Sequence, residues 1–432
     1  MRASLPGSPE APRLPHSKGT AHIAPEGWSS KVRSLSESPT DAATSSVDRL
    51  GVGRATGVPL SARDRSFLDR AVAIGRKGWG RVHPNPLVGC VIVRGDEVVG
   101  EGWHAEFGGP HAEVVALRRA GKRVRGAEVF VSLEPCRHVG KTPACSGALI
   151  RAGVLRVVYG ARDPGEKSGG GSEELEAAGI AVLGPGLSDR EARWENPFFF
   201  HEREDRPWVA LKLAMSLDGF LSDRAGVRTP LTGEEATTEV HHLRAGFEGI
   251  LVGTRTALVD DPRLTVRGPV EPRMRPRRIL LDARGRIGSD ARALSWGNGE
   301  GWVVTTAASP AVWREGIQER GGRVIEVPAR PDGRVDVDGM LLRLREEGLA
   351  SILCEGGGEL GVELLRRGVV DRLYLVIAPR LLGGNGVPAF PVPAAGAAGK
   401  EAPRGVPWDR WRPGEAPRLL GSDLWVALEP EA

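Results

Sequence analysis

Three residues that commonly bind transition metals lie between positions 111 and 145, namely His111, Cys136 and Cys145. One imidazole and two thiolates leave the fourth position of a tetrahedral zinc ion open, as a catalytic site requires and a structural site does not. A water molecule in that position loses a proton near neutral pH. Glu113, two residues after His111, can carry this proton to a leaving amine. The pattern therefore predicts hydrolytic deamination, with one Zn²⁺ per chain and Glu113 as the catalytic residue.

The composition argues against several other classes of protein. Four cysteines in 432 residues do not form a disulfide framework, and we expect Cys90 and Cys354 to be packing residues of the core. The net charge of +4 is too small to indicate nucleic-acid binding. No apolar run approaches the roughly 20 residues of a membrane span. We therefore predict a cytoplasmic protein without a nucleic-acid or membrane partner.

The chain divides into three parts. Residues 1–61 contain Ser-Pro and Ala-Thr-Ser-Ser runs and few large apolar residues, so we predict a disordered tail. A transit peptide is the alternative, although the acidic residues of this segment argue against it. Residues 62–205 are predicted to form the deaminase domain, with a connector from 189 to 205. Residues 206–432 are predicted to form a second domain.

Alternating strands and helices follow the tail. The elements predicted for the first domain are a helix capped by Asp64, strands at 87–93, 98–103, 127–133 and 154–159, and helices at 111–120 and 142–152. Those of the second domain are strands at 207–214, 249–253, 277–282, 301–306, 323–327, 351–354, 371–378 and 424–428, and helices at 233–245, 309–320, 337–347 and 358–367. Alternation with short links predicts an α/β fold built around a sheet.

Three contiguous motifs of the first domain point to one family. His83–Gly89 reads HPNPLVG, Pro110–Val114 reads PHAEV, and Ser132–Cys145 reads SLEPCRHVGKTPAC. Together they resemble the riboflavin-biosynthesis deaminases that act on a diaminohydroxyphosphoribosylaminopyrimidine, in the form that also carries a reductase. The resemblance implies a cytidine-deaminase-like three-layer αβα domain. It also implies that Asn85, His138 and Lys141 contact the substrate, and a cation beside a helix start suits its phosphate.

The second half is similar to the reductase of the same family, which has a dihydrofolate-reductase-like α/β fold. The stretches that carry the resemblance are 211–219, 253–267 and 354–360. The resemblance implies NADPH as cofactor, with Ala214, Thr256, Asp260, Gly357, Gly358, Glu359 and Leu360 beside it. It places Lys212, Arg244, Leu264, Arg267 and Glu355 at the substrate. A glycine run after a strand and before a helix presents backbone N–H groups to a pyrophosphate, which suits this assignment.

Membership of this family implies two consecutive reactions. The first is zinc-dependent deamination of 2,5-diamino-6-ribosylamino-4(3H)-pyrimidinone 5′-phosphate. The second is NADPH-dependent reduction of the ribosyl group to a ribityl chain. The partner is then a small phosphoribosyl pyrimidine, and we expect a homo-oligomer.

Three departures from the family pattern leave alternatives open. Arg228 and Pro230 stand where the family has a serine and a tryptophan, and the loop 165–171 and the segment 386–416 are atypical. An active deaminase with an inactive, structural reductase-like domain is one alternative. A deaminase of nucleic-acid bases is a second, and a non-catalytic zinc protein is a third.

Overall fold

The fold is described by a computed structural model. It covers residues 59–138, 144–201, 205–268, 270–294, 300–391 and 410–431. Residues 1–58 of the predicted tail, Lys141, and residues 392–409 of the atypical C-terminal segment lie outside the described residues. Among the described helices, none combines the length and apolar character that crossing a membrane requires.

A five-stranded sheet organises the first part of the chain. Its strands are β1 Gly89–Arg94, β2 Glu97–Trp103, β3 Glu128–Leu133, β4 Arg156–Ala161 and β5 Ala181–Leu183, in the order β2-β1-β3-β4-β5. β1 runs antiparallel to both of its neighbours, whereas β3, β4 and β5 are parallel. Parallel strands bring their carboxyl ends to one edge of the sheet, and β3 leads there into the segment that carries Cys136.

Helices cover both faces of this sheet. They are α1 Ala62–Gly75, α2 Ala112–Ala120, α3 Cys145–Ala152, α4 Gly171–Ala177 and α5 Asp189–Glu195. Val91 and Val93 pack towards α1, and Cys90 and Ile92 pack towards α2 and α3. Burial on both faces explains the unbroken apolar run in β1. The predicted three-layer αβα arrangement and the core position of Cys90 are confirmed.

A larger sheet organises the second part. Its main strands follow the order β11-β10-β9-β8-β12-β6-β13-β17-β15, with β16 beside β17 and a separate β7–β14 pair. The strands are β6 Trp208–Ser216, β7 Phe220–Ser222, β8 Gly249–Gly253, β9 Arg277–Leu281, β10 Gly301–Thr305, β11 Arg323–Glu326, β12 Ser351–Cys354, β13 Arg372–Ala378, β14 Val387–Pro388, β15 Trp411–Pro413, β16 Arg418–Leu420 and β17 Asp423–Pro430. The strands from β11 to β13 are parallel, so their carboxyl ends form one edge.

Helices also flank the larger sheet. They are α6 Glu234–Ala245, α7 Thr254–Asp260, α8 Ala311–Glu319, α9 Val337–Glu346 and α10 Gly358–Arg366. Leu344 of α9 and Leu364 of α10 share one buried cluster, which also contains the buried Cys354. Val240 and Leu243 of α6 belong to another. The predicted α/β architecture of this half is confirmed.

Several local predictions are wrong in detail. Ser61, not Asp64, caps α1: the Ser61 hydroxyl accepts a hydrogen bond from the Asp64 backbone N–H. The Asp64 side chain is instead buried against Arg156, with Oδ2 and Nη2 2.8 Å apart. The segment interpreted as a connector begins with α5, whose capping box joins Ser188 and Glu191. α4, β5, α7 and the short strands β7, β14, β15 and β16 were not predicted.

Candidate active sites

The three predicted metal ligands converge at one point. His111 is the N-cap residue of α2, Cys145 is the first residue of α3, and Cys136 lies three residues after β3. His111 Nδ1 lies 3.5 Å from Cys136 Sγ and 3.3 Å from Cys145 Sγ, and the three ligand atoms lie within 4.8 Å of one another. Tetrahedral zinc with ordinary bond lengths separates an imidazole nitrogen from a thiolate by about 3.6 Å. These donors therefore fit a zinc ion.

The electrostatics of the two thiols suit the same ion. Hydrogen bonds from Cys145 and His111 outweigh burial and lower the pKa of Cys136 to about 4. The pKa of Cys145 is raised, because it donates its proton to Cys136 and because the side chain is buried. Thiolates are the form of cysteine that binds metal. A divalent cation would stabilise both thiolates in place of the shared proton.

Glu113 lies in the first turn of α2, and its side chain is buried beside the thiols. Burial, followed by the charge of Cys136, raises the pKa of Glu113 to about 7. A carboxyl group with such a pKa can both accept and release a proton near neutral pH. The predicted catalytic residue therefore lies where proton transfer at the metal site would take place.

His104, which the sequence analysis did not single out, connects Asn85 to this site. Its Nε2 lies 3.1 Å from Asn85 Nδ2, and its Nδ1 lies 3.2 Å from the carbonyl oxygen of Pro110. The ring centroids of His104 and His111 are 5.6 Å apart. The structure thus brings the predicted substrate residue Asn85 close to the metal ligands. The one available sequence signal was the position of His104 directly after a predicted strand.

The loop between the two cysteines holds the other predicted substrate contacts. His138 is exposed in this loop. Lys141 lies outside the described residues. The roles of both residues remain predictions.

The atypical loop 165–171 and the residues on either side of it contact the segment that carries Cys136: the Arg137 backbone N–H donates to the Ser168 carbonyl oxygen at 3.0 Å. Glu134 accepts hydrogen bonds from the Ser172 backbone N–H at 3.1 Å and from the Asp163 backbone N–H at 3.2 Å. A Cβ atom on Gly171 would lie 1.8 Å from the carbonyl oxygen of Pro135. Only glycine allows α4 to begin this close to the residue before Cys136. The loop therefore helps to hold the Cys136 segment in place.

A second candidate site is a cavity of about 1120 Å³ in the second domain. It lies where β8 and β12 end and α7 and α10 begin, as ligand sites of open parallel sheets do. All the predicted substrate residues of this domain line it: Lys212, Arg244, Leu264, Arg267 and Glu355. The predicted cofactor residues line it too: Ala214, Thr256, Asp260 and the run Gly357, Gly358, Glu359 and Leu360. The structure therefore brings both groups together.

Two cations hold the Glu355 carboxylate at this cavity. Arg244 donates to Glu355 from Nε at 2.5 Å and from Nη2 at 3.0 Å, and Lys212 Nζ lies 3.5 Å from Glu355 Oε2. Burial alone would raise the pKa of Glu355, but the charges of Arg244 and Lys212 lower it to about 2. Burial and the charge of Arg244 lower the pKa of Lys212. This cluster carries a net charge of about one positive unit.

Among the described residues, the side chain of Arg267 contacts the imidazole ring of His241. Its backbone N–H donates to His241 Nδ1 at 3.2 Å, and its guanidinium lies 3.2 Å from His241 Nε2. Burial, with the charges of Arg244 and Arg267, lowers the pKa of His241 to about 4. The ring is neutral at physiological pH, so it leaves the charge of Arg267 available to an anion. His241 is a further cavity residue that the sequence analysis missed.

The segment that departs from the family pattern also lines this cavity. Arg228 and Pro230 both face it, and Arg380 Nη1 donates to the Pro230 carbonyl oxygen at 2.5 Å. Burial raises the pKa of Asp260, and the charge of Arg228 partly opposes this shift. The substituted residues therefore lie beside a predicted cofactor residue.

Two families of known proteins match successive parts of the chain. Residues 61–161 match the zinc-binding region of cytidine and deoxycytidylate deaminases. Residues 207–395 match the RibD C-terminal domain. The two matched regions contain the first and second candidate sites, respectively.

Relatives match over most of their length. The riboflavin biosynthesis protein RibD of Chlamydia trachomatis is 38% identical over 333 residues, which cover 76% of this chain and 88% of that protein. RibD of Escherichia coli is 38% identical over 336 residues, covering 75% of this chain and 89% of that protein.

Solved structures agree with these relatives. Acinetobacter baumannii RibD has a TM-score of 0.66 at 32% identity, and the match covers 86% of this chain and 99% of that chain. A diaminohydroxyphosphoribosylaminopyrimidine deaminase/5-amino-6-(5-phosphoribosylamino)uracil reductase from Thermotoga maritima has a TM-score of 0.64 at 30% identity, covering 85% of this chain and 99% of that chain.

These matches confirm the resemblance drawn from the sequence motifs, and they do not favour the alternative in which the second domain is inactive. Because relatives that are more than 30% identical cover three quarters of the chain, and because both halves match, the chain belongs to the RibD family of bifunctional deaminase–reductase enzymes of riboflavin biosynthesis.

Proposed function

We propose that residues 62–205 deaminate 2,5-diamino-6-ribosylamino-4(3H)-pyrimidinone 5′-phosphate, and that residues 206–432 reduce the ribosyl group of the product. The observation that carries the proposal is the convergence of His111, Cys136 and Cys145 next to the buried Glu113. These three ligands would hold one Zn²⁺ per chain.

The deamination rests on proton transfer by Glu113. Zinc, when bound, polarises a water molecule and lowers its pKa. Glu113 accepts a proton from the water as its oxygen adds to the amine-bearing carbon of the pyrimidinone. It then delivers the proton to the amine nitrogen, which leaves as ammonia. Asn85, held by His104, binds the pyrimidine edge, and His138 and Lys141 bind the phosphoribosyl group.

The reduction depends on how the larger cavity orients the cofactor and the substrate. NADPH, when bound, supplies the hydride. The residues beside it would be Ala214, Thr256, Asp260, Gly357, Gly358, Glu359 and Leu360. The backbone N–H groups at the start of α10 suit the pyrophosphate of NADPH, because they lie at the positive end of the helix dipole.

The remaining cavity residues would bind the sugar phosphate. The charge of Arg267 is available because its partner His241 is neutral, and Lys212 and Arg244 are ordered by Glu355. A cluster with a small positive charge favours an anionic substrate without holding it too tightly to release. Leu264, buried at φ 51°, would pack against the ligand.

The test measures each activity on the full chain and on Glu113→Gln. We expect wild type to contain one equivalent of zinc, to release ammonia from the diamino substrate, and to oxidise NADPH when given the deaminated intermediate. Glu113→Gln should keep its zinc and NADPH oxidation but lose ammonia release by at least about 10²-fold. Ammonia release that does not depend on Glu113, or wild type that oxidises no NADPH, would overturn the corresponding half of the proposal.

Assembly and location remain predictions from the sequence. We propose a homo-oligomer, to be tested by light scattering, and a cytoplasmic location, to be tested by cell fractionation. The proposed partner is a small phosphoribosyl pyrimidine, with no nucleic acid or membrane partner.

A further inference from the structure

A carboxylate of the second domain reaches the substrate loop of the first. Glu248, the residue before β8, places Oε1 2.6 Å from His83 Nε2. Both side chains are largely buried, with 14% and 18% of their surface exposed. His83 lies two residues before Asn85, in the HPNP motif. The contact therefore joins the two domains at a segment that carries a proposed substrate residue.

Glu248 is itself held firmly. Its Oε2 accepts from the Ala350 backbone N–H at 2.5 Å, and its backbone N–H donates to Ser351 Oγ at 3.1 Å. Residues 350 and 351 lie at the start of the central strand β12. The carboxylate that faces His83 is thus fixed to the core of the second domain.

Further contacts from the second domain fix the same loop. The Arg273 backbone N–H donates to the Gly80 carbonyl oxygen at 2.8 Å, and Arg273 Nη1 donates to the His83 carbonyl oxygen at 2.9 Å. Trp79 Nε1 donates to the His242 carbonyl oxygen at 3.0 Å. A Cβ atom on Gly246 would lie 2.1 Å from the Trp79 ring, so only glycine permits this contact.

The loop transmits this constraint to Asn85. The Asn85 backbone N–H donates to the Val82 carbonyl oxygen at 2.9 Å, which closes a turn around His83. The Asn85 side chain then meets His104 beside the metal ligands. A shift of His83 would therefore change the position of the Asn85 amide.

We infer that Glu248 is a positioning residue for the deamination: this carboxylate of the second domain holds His83, and through His83 it sets the loop from which Asn85 meets the pyrimidine. The inference rests on the proposed deaminase function. The reductase-like domain thereby contributes a structural part to the site of the other reaction, in addition to its own activity.

Glu248 and the larger cavity lie at opposite ends of β8. Glu248 precedes the amino end of β8, whereas Gly253 and Thr254, at its carboxyl end, line the larger cavity. Five strand residues span about 16 Å. A change confined to the Glu248 carboxylate should therefore alter the deamination and leave the NADPH-dependent reaction as it is.

Glu429 supplies a matched control. It lies in β17 and forms an ion pair with Arg190 of α5, so it too connects the second domain to the part of the chain before it. Its side chain is 15% exposed, close to the value for Glu248. Among the described residues, its side-chain partners are Arg190 and Arg412, which lie outside residues 79–87, and it does not line the larger cavity.

The experiment compares Glu248→Gln with Glu429→Gln in the full-length, zinc-loaded enzyme. For Glu248→Gln we expect the KM of deamination to rise about tenfold, because the His83 side chain loses one charge-assisted hydrogen bond. We expect kcat to change less than about twofold. The KM of the reduction should stay within about twofold. Glu429→Gln should leave both reactions within about twofold of wild type. In a His83→Ala background, Glu248→Gln should add less than about twofold, because its effect acts through His83.

Hydrogen exchange gives a readout that does not need activity. Amides of residues 79–87 should exchange faster in Glu248→Gln than in wild type and stay protected in Glu429→Gln. An unchanged KM together with unchanged exchange would overturn the inference, as would a parallel fall in both activities. If wild type releases no ammonia, the proposed function fails, and exchange of residues 79–87 still decides whether Glu248 orders the loop.

Discussion

His104 lies between Asn85 and a backbone carbonyl, with its Nε2 3.1 Å from Asn85 Nδ2 and its Nδ1 3.2 Å from the oxygen of Pro110. A carbonyl oxygen can only accept, so Nδ1 carries the ring proton and Nε2 accepts from the Asn85 amide. This pair of hydrogen bonds fixes which end of the Asn85 amide faces His104. In the proposed function, Asn85 Oδ1 would then accept a hydrogen bond from an N–H group of the pyrimidine.

Removing the His104 acceptor should therefore weaken substrate binding. We expect His104→Phe to raise the KM of deamination about tenfold, because the Asn85 amide loses the partner that orients it. His104→Gln, whose side-chain oxygen can accept a hydrogen bond from Asn85, should show a smaller rise in KM. Steady-state ammonia release measures both variants. Zinc content serves as the control, and loss of zinc in His104→Phe would show that the residue supports the metal site instead.

Removal of the metal should separate the two activities. His111, Cys136 and Cys145 lie in the first domain, and the larger cavity lies wholly among residues of the second. Treatment with a strong chelator is expected to abolish ammonia release and to leave NADPH oxidation with the deaminated intermediate within about twofold of the untreated enzyme. Zinc added back should restore ammonia release. Loss of both activities on chelation would mean that the metal also stabilises the second domain.

Contiguous motifs and unbroken apolar runs allowed the sequence to predict much of this molecule. β1 was recognisable because its first five residues, 89–93, are apolar without interruption and buried on both faces of the sheet. The metal ligands were recognisable because each belongs to a short motif at a helix start or after a strand. The cavity residues of the second domain came from resemblance, and the structure brings them together.

Features that depend on a distant partner could not be predicted. β15 and β16 are three residues each and exist because β17 offers them a pairing edge. His241 and Glu248 carry no local pattern, since their roles come from Arg267 and His83 respectively. α5 is different, because Ser188 and Glu191 form a capping box, which is a local sequence pattern typical of a helix start.

Gly171 and Gly316 should respond to alanine with opposite signs. A Cβ on Gly171 would lie 1.8 Å from the Pro135 carbonyl oxygen, whereas one on Gly316, inside α8, would meet no atom of the described part of the chain within 4 Å. We expect Gly171→Ala to destabilise the protein by about 2 kcal/mol and to weaken zinc binding, because the Cys136 segment must move. Gly316→Ala should stabilise it by about 0.5–1 kcal/mol. Urea unfolding measures the stability of both variants, and zinc content measures their metal binding. Normal zinc content in Gly171→Ala would contradict the role given to this loop.

Glu355 should make stability depend on pH at the acid end. Its folded pKa of about 2 lies below the ordinary value of 4.5, because Arg244 and Lys212 favour the carboxylate despite burial. The ionised group therefore contributes stability that is fully present above the unfolded-state pKa and is lost as pH falls through the folded-state pKa.

Near pH 7, Glu355→Gln leaves two buried cations without their counter-ion, so its free energy of unfolding should be about 3 kcal/mol lower than that of wild type. Measured by urea unfolding from about pH 7 to about pH 3, this difference should shrink as the medium becomes more acid. The exposed Glu315→Gln on α8 is the control and should differ little from wild type throughout. A Glu355→Gln difference that stays constant over the range would show that the ion cluster does not govern the stability of this domain.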